Sequence, residues 1–360
     1  MRFKAIESVS PFWRITAGVV LWLLLISGLH YGLNMDRGTR RVVRMGYMPV
    51  ITNLASPLLD FASRESGDIR FQAIKFASFA EMAEALRNDQ IQAAFMIAPL
   101  SIVLRQQGED IRVVCIGNRH ESTLVVRKDL GATSFRDLAG RTLAVPMRFS
   151  GHNLSVLLLL ENTGLTGQVT VVEMNPPDMP AALATGALDA YYVGDPFAAQ
   201  TLMEGNASLL YYVEDVWQNF ICNLVVVKQS FIDAHPEIVH QLVQGAARAG
   251  LWAKGNPDEA AAIASEFWNQ PVDLVRYAMT TPENRIVYDR YVPKHEELQR
   301  MADLMVRFKL IESADITGLV DDRFAVAADL SEVLGITSIL PPKGSEAAVM
   351  SSEPSTGQAG

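Results

Sequence analysis

The chain contains an internal repeat, and a repeat limits the fold more sharply than any single motif because it fixes like topology in two places. Met82–Leu100, MAEALRNDQIQAAFMIAPL, aligns without a gap on Met179–Phe197, MPAALATGALDAYYVGDPF, at an offset of 97. Each copy reads as the end of an amphipathic helix, a short turn, a strand (IQAAFM or LDAYYV) and a loop ending in proline (Ala98-Pro99 or Asp195-Pro196). Two further correspondences keep the same order. Val43–Pro49 and Thr142–Met147 are strand-like runs before helix candidates, and Leu124-Val125-Val126-Arg127-Lys128 matches Leu224-Val225-Val226-Val227-Lys228. Three matches in one order predict two lobes of like topology.

Strands alternating with helical patterns predict an α/β protein whose parallel sheets are covered by helices. Ser78-x-x-Glu81 and Ser134-x-x-Asp137 read as helix N-terminal capping boxes. After Val227 the pattern is mainly helical: from Pro236, from Pro257 to about Trp268, and from Glu296 to Phe308. If the two Leu-Val-Val strands are crossovers, lobe one is discontinuous, residues 42–125 plus 228–335, and lobe two is 126–227. Two such connections make a hinge, and hinge closure around a ligand belongs to the standard repertoire of binding proteins. Residues 341–360 are rich in Ser, Gly and Ala and read as a disordered tail.

Composition then excludes several functions. At 360 residues, 49% hydrophobic and 20% charged, the chain can bury two ordinary cores. Its net charge of −9 leaves no broad basic surface for nucleic acid, so any anion must be held by local groups. Cys115 and Cys222 are the only cysteines, in apolar stretches, which rules out a disulfide framework and a clustered-thiolate metal site. They read as buried thiols, with a single disulfide left open. No G-x-S-x-G, H-E-x-x-H or G-x-x-x-x-G-K-[ST] occurs, and His235 and His240 lack the spacing of a helical metal pair. No catalysis, metal or cofactor is expected.

Residues 1–14 form a short basic lead, and 15–35 run without a formal charge. As a helix the run spans about 30 Å, a bilayer core. No A-x-A-like cleavage site and no cysteine for lipidation follow it, so an uncleaved transmembrane signal anchor is expected, with secretion after cleavage as the alternative. Arginines flank the run on both sides, so charge does not decide orientation.

In open α/β sheets ligands bind at the carboxyl ends of the strands. That places candidate ligand residues in loops: Met48, Pro49 and Asn53; Ser78; Ala98; Arg119; Arg148, Ser150, Gly151, His152 and Asn153; and Asp195. The segment Met147–Asn153 precedes the apolar helix LSVLLLLENTG and holds the best anion site of the chain, because a helix start offers free N–H groups and Arg148 adds charge. The competing reading is that Ser150 or Asn153 merely caps that helix and His152 is solvated. Asp195 would repel a free anion, yet it can accept from a ligand N–H or pair with Arg148. Tyr191 and Tyr192 alternate on a strand, so at most one of them faces the cleft.

With these residues in view, the chain resembles the nitrate/sulfonate/taurine/bicarbonate family of ABC-transporter substrate-binding proteins, a type II periplasmic-binding fold that also includes thiamin-precursor binders. The similarity rests on VRMGYMP, ALRNDQIQAAFMIAPL, LVVRKD with SFRDLAGRTLAVP, the PAALATGALDAYYVGDPF block and FIDAHPEIVHQLVQGAARAGLWAKGNPDEAAAI, together spanning about residues 42 to 310. The resemblance implies a two-lobed binder on the periplasmic side of the cell membrane. It also implies a small anionic solute and delivery to a permease with ATPase subunits, without chemistry on the solute. A monomer is expected. The matching motifs carry over Gly46–Pro49, Ala98-Pro99, the loop after Val145-Pro146 and Gly194-Asp195-Pro196. Two alternatives stand beside this reading: a ligand-sensing ectodomain acting through a separate partner, and a pyrimidine or thiamin-precursor protein on the same fold. Biosynthesis enzymes of the latter kind use a cysteine-rich motif that two distant cysteines do not supply.

Overall fold

A computed structural model of the chain describes residues 10–34, 40–64, 67–331 and 333–340. The tail expected at 341–360 and most of the lead at 1–14 lie outside the described residues. The chain forms two compact units that divide between Arg40 and Arg41.

The described residues of the first unit form one helix, α1 (Pro11–Asn34), on which Leu21, Trp22, Leu24 and Leu25 are exposed. Among the described residues no helix is long and apolar enough to cross a membrane. The transmembrane anchor expected at 15–35 is therefore not established by the fold.

Among the described residues the second unit holds ten strands in two five-stranded sheets. The first combines β1 (Arg41–Tyr47), β2 (Ile69–Lys75), β3 (Ala93–Ile97) and β4 (Ile111–Ile116) with a strand from much later in the chain, β10 (Asn223–Lys228), in the order β2-β1-β3-β10-β4. The second combines β5 (Ser122–Arg127), β6 (Thr142–Val145), β7 (Thr170–Glu173), β8 (Ala190–Gly194) and β9 (Ala207–Tyr212) in the order β7-β6-β8-β5-β9. The two orders are identical once β5 is matched to β10, so the repeat is a repeat of whole sheets. Each sheet takes its fourth position from a strand that crosses over from the other half.

That exchange corrects one expectation. The sheets are mixed, not parallel: β1 runs parallel to β2 and β3, but β10 is antiparallel to β3 and β4. In the same way β6 is parallel to β7 and β8, whereas β5 is antiparallel to β8 and β9. The reason is geometric. A strand entering from the neighbouring lobe starts where the parallel strands end, so it runs back against them without the long crossover that parallel pairing requires. β3, β8 and the first five residues of β5 and β10 are buried without alternation, the pattern of strands covered on both faces.

Helices supply the cover: α2 (Ala55–Ala62), α3 (Phe79–Arg87) and α4 (Ala98–Gln106) on the first sheet; α5 (Gly151–Thr163), α6 (Met179–Ala184), α7 (Phe197–Met203) and α8 (Val213–Val216) on the second. After β10 come α9 (Gln229–Ala234), α10 (Pro236–Gly255), α11 (Pro257–Trp268), α12 (Val272–Thr280) and α13 (His295–Arg307). The expected helices from Pro236, Pro257 and Glu296 are α10, α11 and α13, while α12 was not expected. The capping signals work as local chemistry demands. Ser78 Oγ accepts from the Glu81 N–H at 3.2 Å, and Asp137 accepts from the Ser134 N–H at 2.8 Å. Cys115 and Cys222 are both buried and free, so no disulfide joins them.

Candidate ligand cleft between the sheets

The carboxyl ends of β1, β3 and β8 meet the amino ends of β5 and β10, because the exchanged strands enter there. One backbone bond ties the two sheets at this place, Ile51 N–H to the Asp195 carbonyl at 2.8 Å, while Asp195 N–H to the Glu121 carbonyl and Ala98 N–H to the Cys222 carbonyl, each at 2.9 Å, extend the β8–β5 and β3–β10 pairings within each sheet. Packing at these strand ends is tight within each sheet. A Cβ on Gly117 would lie 2.1 Å from the Thr52 carbonyl oxygen, and one on Gly194 would lie 2.6 Å from Glu121 Oε2.

Three polar groups gather in this seam. In the first, Asn223 Nδ2 donates to Asn53 Oδ1 at 2.7 Å, and Asn53 Nδ2 donates to the Met48 and Phe95 carbonyls at 3.2 and 3.3 Å. Asn118 Nδ2 reaches the Ile51 carbonyl at 2.9 Å. In the second, Ser122 Oγ donates to Glu121 Oε1 at 3.0 Å and lies 2.8 Å from His152 Nε2. With the hydroxyl proton given to Glu121, the His152 Nε2–H donates to Ser122 and Nδ1 is left as a lone-pair acceptor. Burial pushes His152 down to about 3 and Glu121 up to about 7, so the imidazole is neutral and the carboxyl is poised near neutrality.

The third group is ionic. Arg285, 3% exposed in its side chain, donates to Asp195 Oδ2 at 3.2 Å, to Glu214 Oε1 at 3.0 Å and to the Ser122 carbonyl, and its guanidinium sits 4.2 Å from the Tyr212 ring centroid. Asp195 also accepts from Thr123 Oγ1 and from the Ala199 N–H, each at 3.0 Å. Burial raises the Asp195 carboxyl above its ordinary value, and Arg285 opposes that rise.

These bonds place the residues expected from sequence. Met48, Pro49, Asn53, Ala98, His152 and Asp195 are buried in the seam, and Asn53, His152 and Asp195 each belong to one of its three groups. Ser150 caps α5 by accepting from the Asn153 N–H at 3.1 Å, and Asn153 Nδ2 donates to the Arg148 carbonyl at 2.8 Å. Gly151 packs under Phe220, whose ring carbon lies 2.7 Å from where a Cβ would stand. Ser78 serves as the cap of α3. The two candidate cations have other partners. Arg119 is buried against Glu297 at 2.8 Å and the Asn219 carbonyl at 2.8 Å, and Arg148 is exposed with its guanidinium 4.8 Å from the Phe149 ring. Both Tyr191 and Tyr192 are fully buried; the Tyr191 hydroxyl donates to the Phe197 carbonyl at 2.8 Å. Thr52 and Glu121 lie in loops that the strand-end rule assigns to the cleft, whereas Asn223 and Arg285 carry no site signal in the sequence. The Asn118–Glu121 loop carried a polar signal, whereas Arg285 lies 90 residues beyond Asp195 and carried none.

Beside the seam a groove of about 850 Å³ opens between α3, α4 and the loop after β6, lined by Phe76, Leu100, Leu104, Met147 and Phe149 among others. Among the described residues no group of His, Cys, Asp and Glu is placed to hold a metal ion.

The model of the NMT1-like family matches residues 40–267, which covers both sheets. The chain belongs to the NMT1-like family. This NMT1-like protein is 25% identical over 319 residues to a putative aliphatic sulfonates-binding protein of Bacillus subtilis, covering 85% of the chain and 93% of the relative. It is 31% identical over 190 residues to the taurine-binding periplasmic protein of Escherichia coli, covering 51% of the chain and 58% of the relative. In fold it matches the ligand-binding component of an ABC-type import system from Staphylococcus aureus with a TM-score of 0.74, at 20% identity, over 81% of the chain and 100% of that structure. The two-lobed periplasmic-binding architecture is thereby shown. The NMT1-like match includes the Gly46–Pro49 loop, the Ala98 and Asp195 loops and both exchanged strands.

Proposed function

We propose that this NMT1-like protein is the extracytoplasmic solute-binding component of an ABC importer, which closes two lobes over a small solute and hands it to a permease with ATPase subunits. Sulfonates and related anions are the solute class that its relatives suggest. The supporting observation is the seam itself: polar groups from both sheets converge where the exchanged strands enter, and several buried polar atoms there, among them Thr52 Oγ1, Asn118 Oδ1, His120 Nε2, Glu121 Oε2, His152 Nδ1 and the Tyr192 hydroxyl, have no hydrogen-bond partner. Buried polar atoms are otherwise almost always paired, so such a set is what a bound molecule would satisfy.

The lobe division at 126 and 227, with the segments before β5 and β10 as hinges, is part of this reading. It is supported by the placement of β5 in the second sheet and β10 in the first. We read α1 as the export segment, because the run from Ile15 to Met35 carries no formal charge. N-terminal sequencing of the mature protein from membrane and soluble extracytoplasmic fractions tells an anchored form from a cleaved one. Recovery of an intact chain from the cytoplasm overturns the export reading.

A thermal-shift screen of the full chain against sulfonates, taurine, nitrate and bicarbonate tests the function. A solute at about a hundred times its Kd stabilises the folded state by about 2.7 kcal/mol. The same solute must then stimulate ATP hydrolysis by the reconstituted permease. Binding without stimulation of any importer refutes transport and favours the sensing alternative.

A further inference from the structure

The two links between the sheets do not cross alone. Arg119, in the link before β5, pairs antiparallel with Ile221 of the link before β10 and also with Val287. Its N–H donates to the Val287 carbonyl at 3.0 Å and its carbonyl accepts from the Val287 N–H at 3.1 Å, while its guanidinium reaches the carbonyls of Arg290 at 3.0 Å and Asn219 at 2.8 Å. The segment from Arg285 to Tyr291, between α12 and α13, thus lies along the links as a third strand. Its far end is rooted in the first lobe: Ile286, Tyr288 and Tyr291 are buried in the core of the first sheet, and Ile116 N–H donates to the Tyr291 carbonyl at 2.8 Å. Its near end grips the second lobe. Arg285 Nη1 bonds Asp195 at the end of β8, Nε bonds Glu214 of α8, Nη2 donates to the Ser122 carbonyl at the start of β5, and the guanidinium lies over the Tyr212 ring.

We propose that Arg285 is a positioning residue for solute capture: carried on a strand rooted in the first lobe, it latches the second lobe and sets the balance between open and closed forms. The capture role rests on the solute-binding reading above; the latch does not. Each guanidinium nitrogen already bonds a protein oxygen and the side chain is 3% exposed, so Arg285 acts without touching the solute. A hinge rotation that parts the lobes carries Asp195 and Glu214 away from the buried anchors Tyr288 and Tyr291, and one side chain cannot span that separation. The two ion pairs therefore belong to the closed form alone. A contact present in one form and absent in the other biases their equilibrium, and the apparent affinity for any solute scales with the fraction of the competent form. Arg285 thereby governs the affinity for every solute by a common factor.

The test uses the full chain with spin labels at Asn162→Cys of α5 and Glu259→Cys of α11, exposed positions in the second and first lobes; the native cysteines are buried and stay unlabelled. In the unliganded protein, Arg285→Met should transfer population from the parent's main interlobe distance to a second one. Glu214→Gln, at a partly exposed carboxyl, should do the same more weakly, and it keeps the latch testable if Arg285→Met does not fold. In the double variant Glu214→Gln should add nothing, because its partner is already gone. Calorimetry with ethanesulfonate, taurine and nitrate gives the second readout: every one that the parent binds should weaken about fivefold or more in Arg285→Met, the low end of a coupling between sites, by factors that agree within about twofold. Distance distributions unchanged in both variants overturn the latch. A loss confined to one solute makes Arg285 a ligand contact and overturns the proposal, as does an unchanged affinity for a solute that the parent binds. Distances that shift while the parent binds no solute of the wider screen keep the latch and overturn the solute-binding reading instead.

Discussion

Arg285→Met removes the one cation that, among the described residues, pairs with both Asp195 and Glu214, and leaves the side chain's volume in place. The magnitude follows from what stays behind. Losing one partner of a buried ion pair costs about 3–5 kcal/mol, because the other charge is stranded. Two features of the site lower that figure. Glu214 is 27% exposed in its side chain and recovers water, and Asp195 keeps two donors, Thr123 Oγ1 and the Ala199 N–H. One feature raises it, the guanidinium stacked on Tyr212, a contact worth about 1 kcal/mol. The expected destabilisation at neutral pH is about 3 kcal/mol, read as a lower urea midpoint at an unchanged slope. The pH dependence carries a sign. Asp195 already has a folded-state pKa above its ordinary 3.8, and loss of Arg285 raises it further. A carboxyl with a raised folded pKa is unfavourable while ionised and is relieved as the pH falls through that pKa, so the deficit of the variant must shrink on acidification. A deficit below about 1 kcal/mol, or one that does not change between neutral and acidic pH, would refute the ionic clamp. In a double-mutant cycle with Asp195→Asn the two losses should be strongly non-additive.

Glu121 supplies an independent slope. Its carboxyl titrates at 4.5 when unfolded and near 7 when buried, so stability should fall by about 3 kcal/mol as pH rises between those values and then level off; Glu121→Gln should flatten the curve, and a variant with the parental slope would sink the assignment. Gly117→Ala places a methyl against a backbone carbonyl that cannot rotate away, and denaturant titration should show a loss of at least about 2 kcal/mol. Arg148→Ala should leave the unliganded midpoint within about 0.5 kcal/mol, since the side chain is exposed and stacks only on Phe149. The same variant should weaken an anionic solute by less than about tenfold at physiological salt in calorimetry, and abolition of binding would place the guanidinium in the site instead.

Topology was largely legible because the repeat is chemical. The Met82 and Met179 blocks have the same helix, turn, strand and proline at the same spacing, and local preferences fix each of those parts. Strand direction was not legible. β5 and β10 are almost wholly buried, so their runs of Leu and Val carry no periodicity to distinguish a parallel neighbour from an antiparallel one. The site was read in part for a related reason. Loops at strand ends can be counted from sequence, which located Asn53, His152 and Asp195. What a loop side chain bonds to depends on partners far along the chain: Arg148 reads as an anion ligand until Phe149 is seen under it, and Arg119 until Glu297, 178 residues away, is seen beside it. Arg285 has no local signature at all, because its partners lie 71 and 90 residues upstream.

Strand exchange also explains why the cleft and its mechanics coincide. The segments that precede β5 and β10 are the links through which the chain passes from one sheet to the other, and each ends in residues of the seam: Glu121 and Ser122 in one, Cys222 and Asn223 in the other. Asn223 bonds Asn53 in the first lobe, and Ser122 bonds His152 in the second. A rotation of the lobes about these links cannot occur without moving the polar groups that the solute would contact. On the proposed solute-binding reading, closure and recognition are one event: a solute that bonds groups from both lobes stabilises the closed form by the same contacts that identify it.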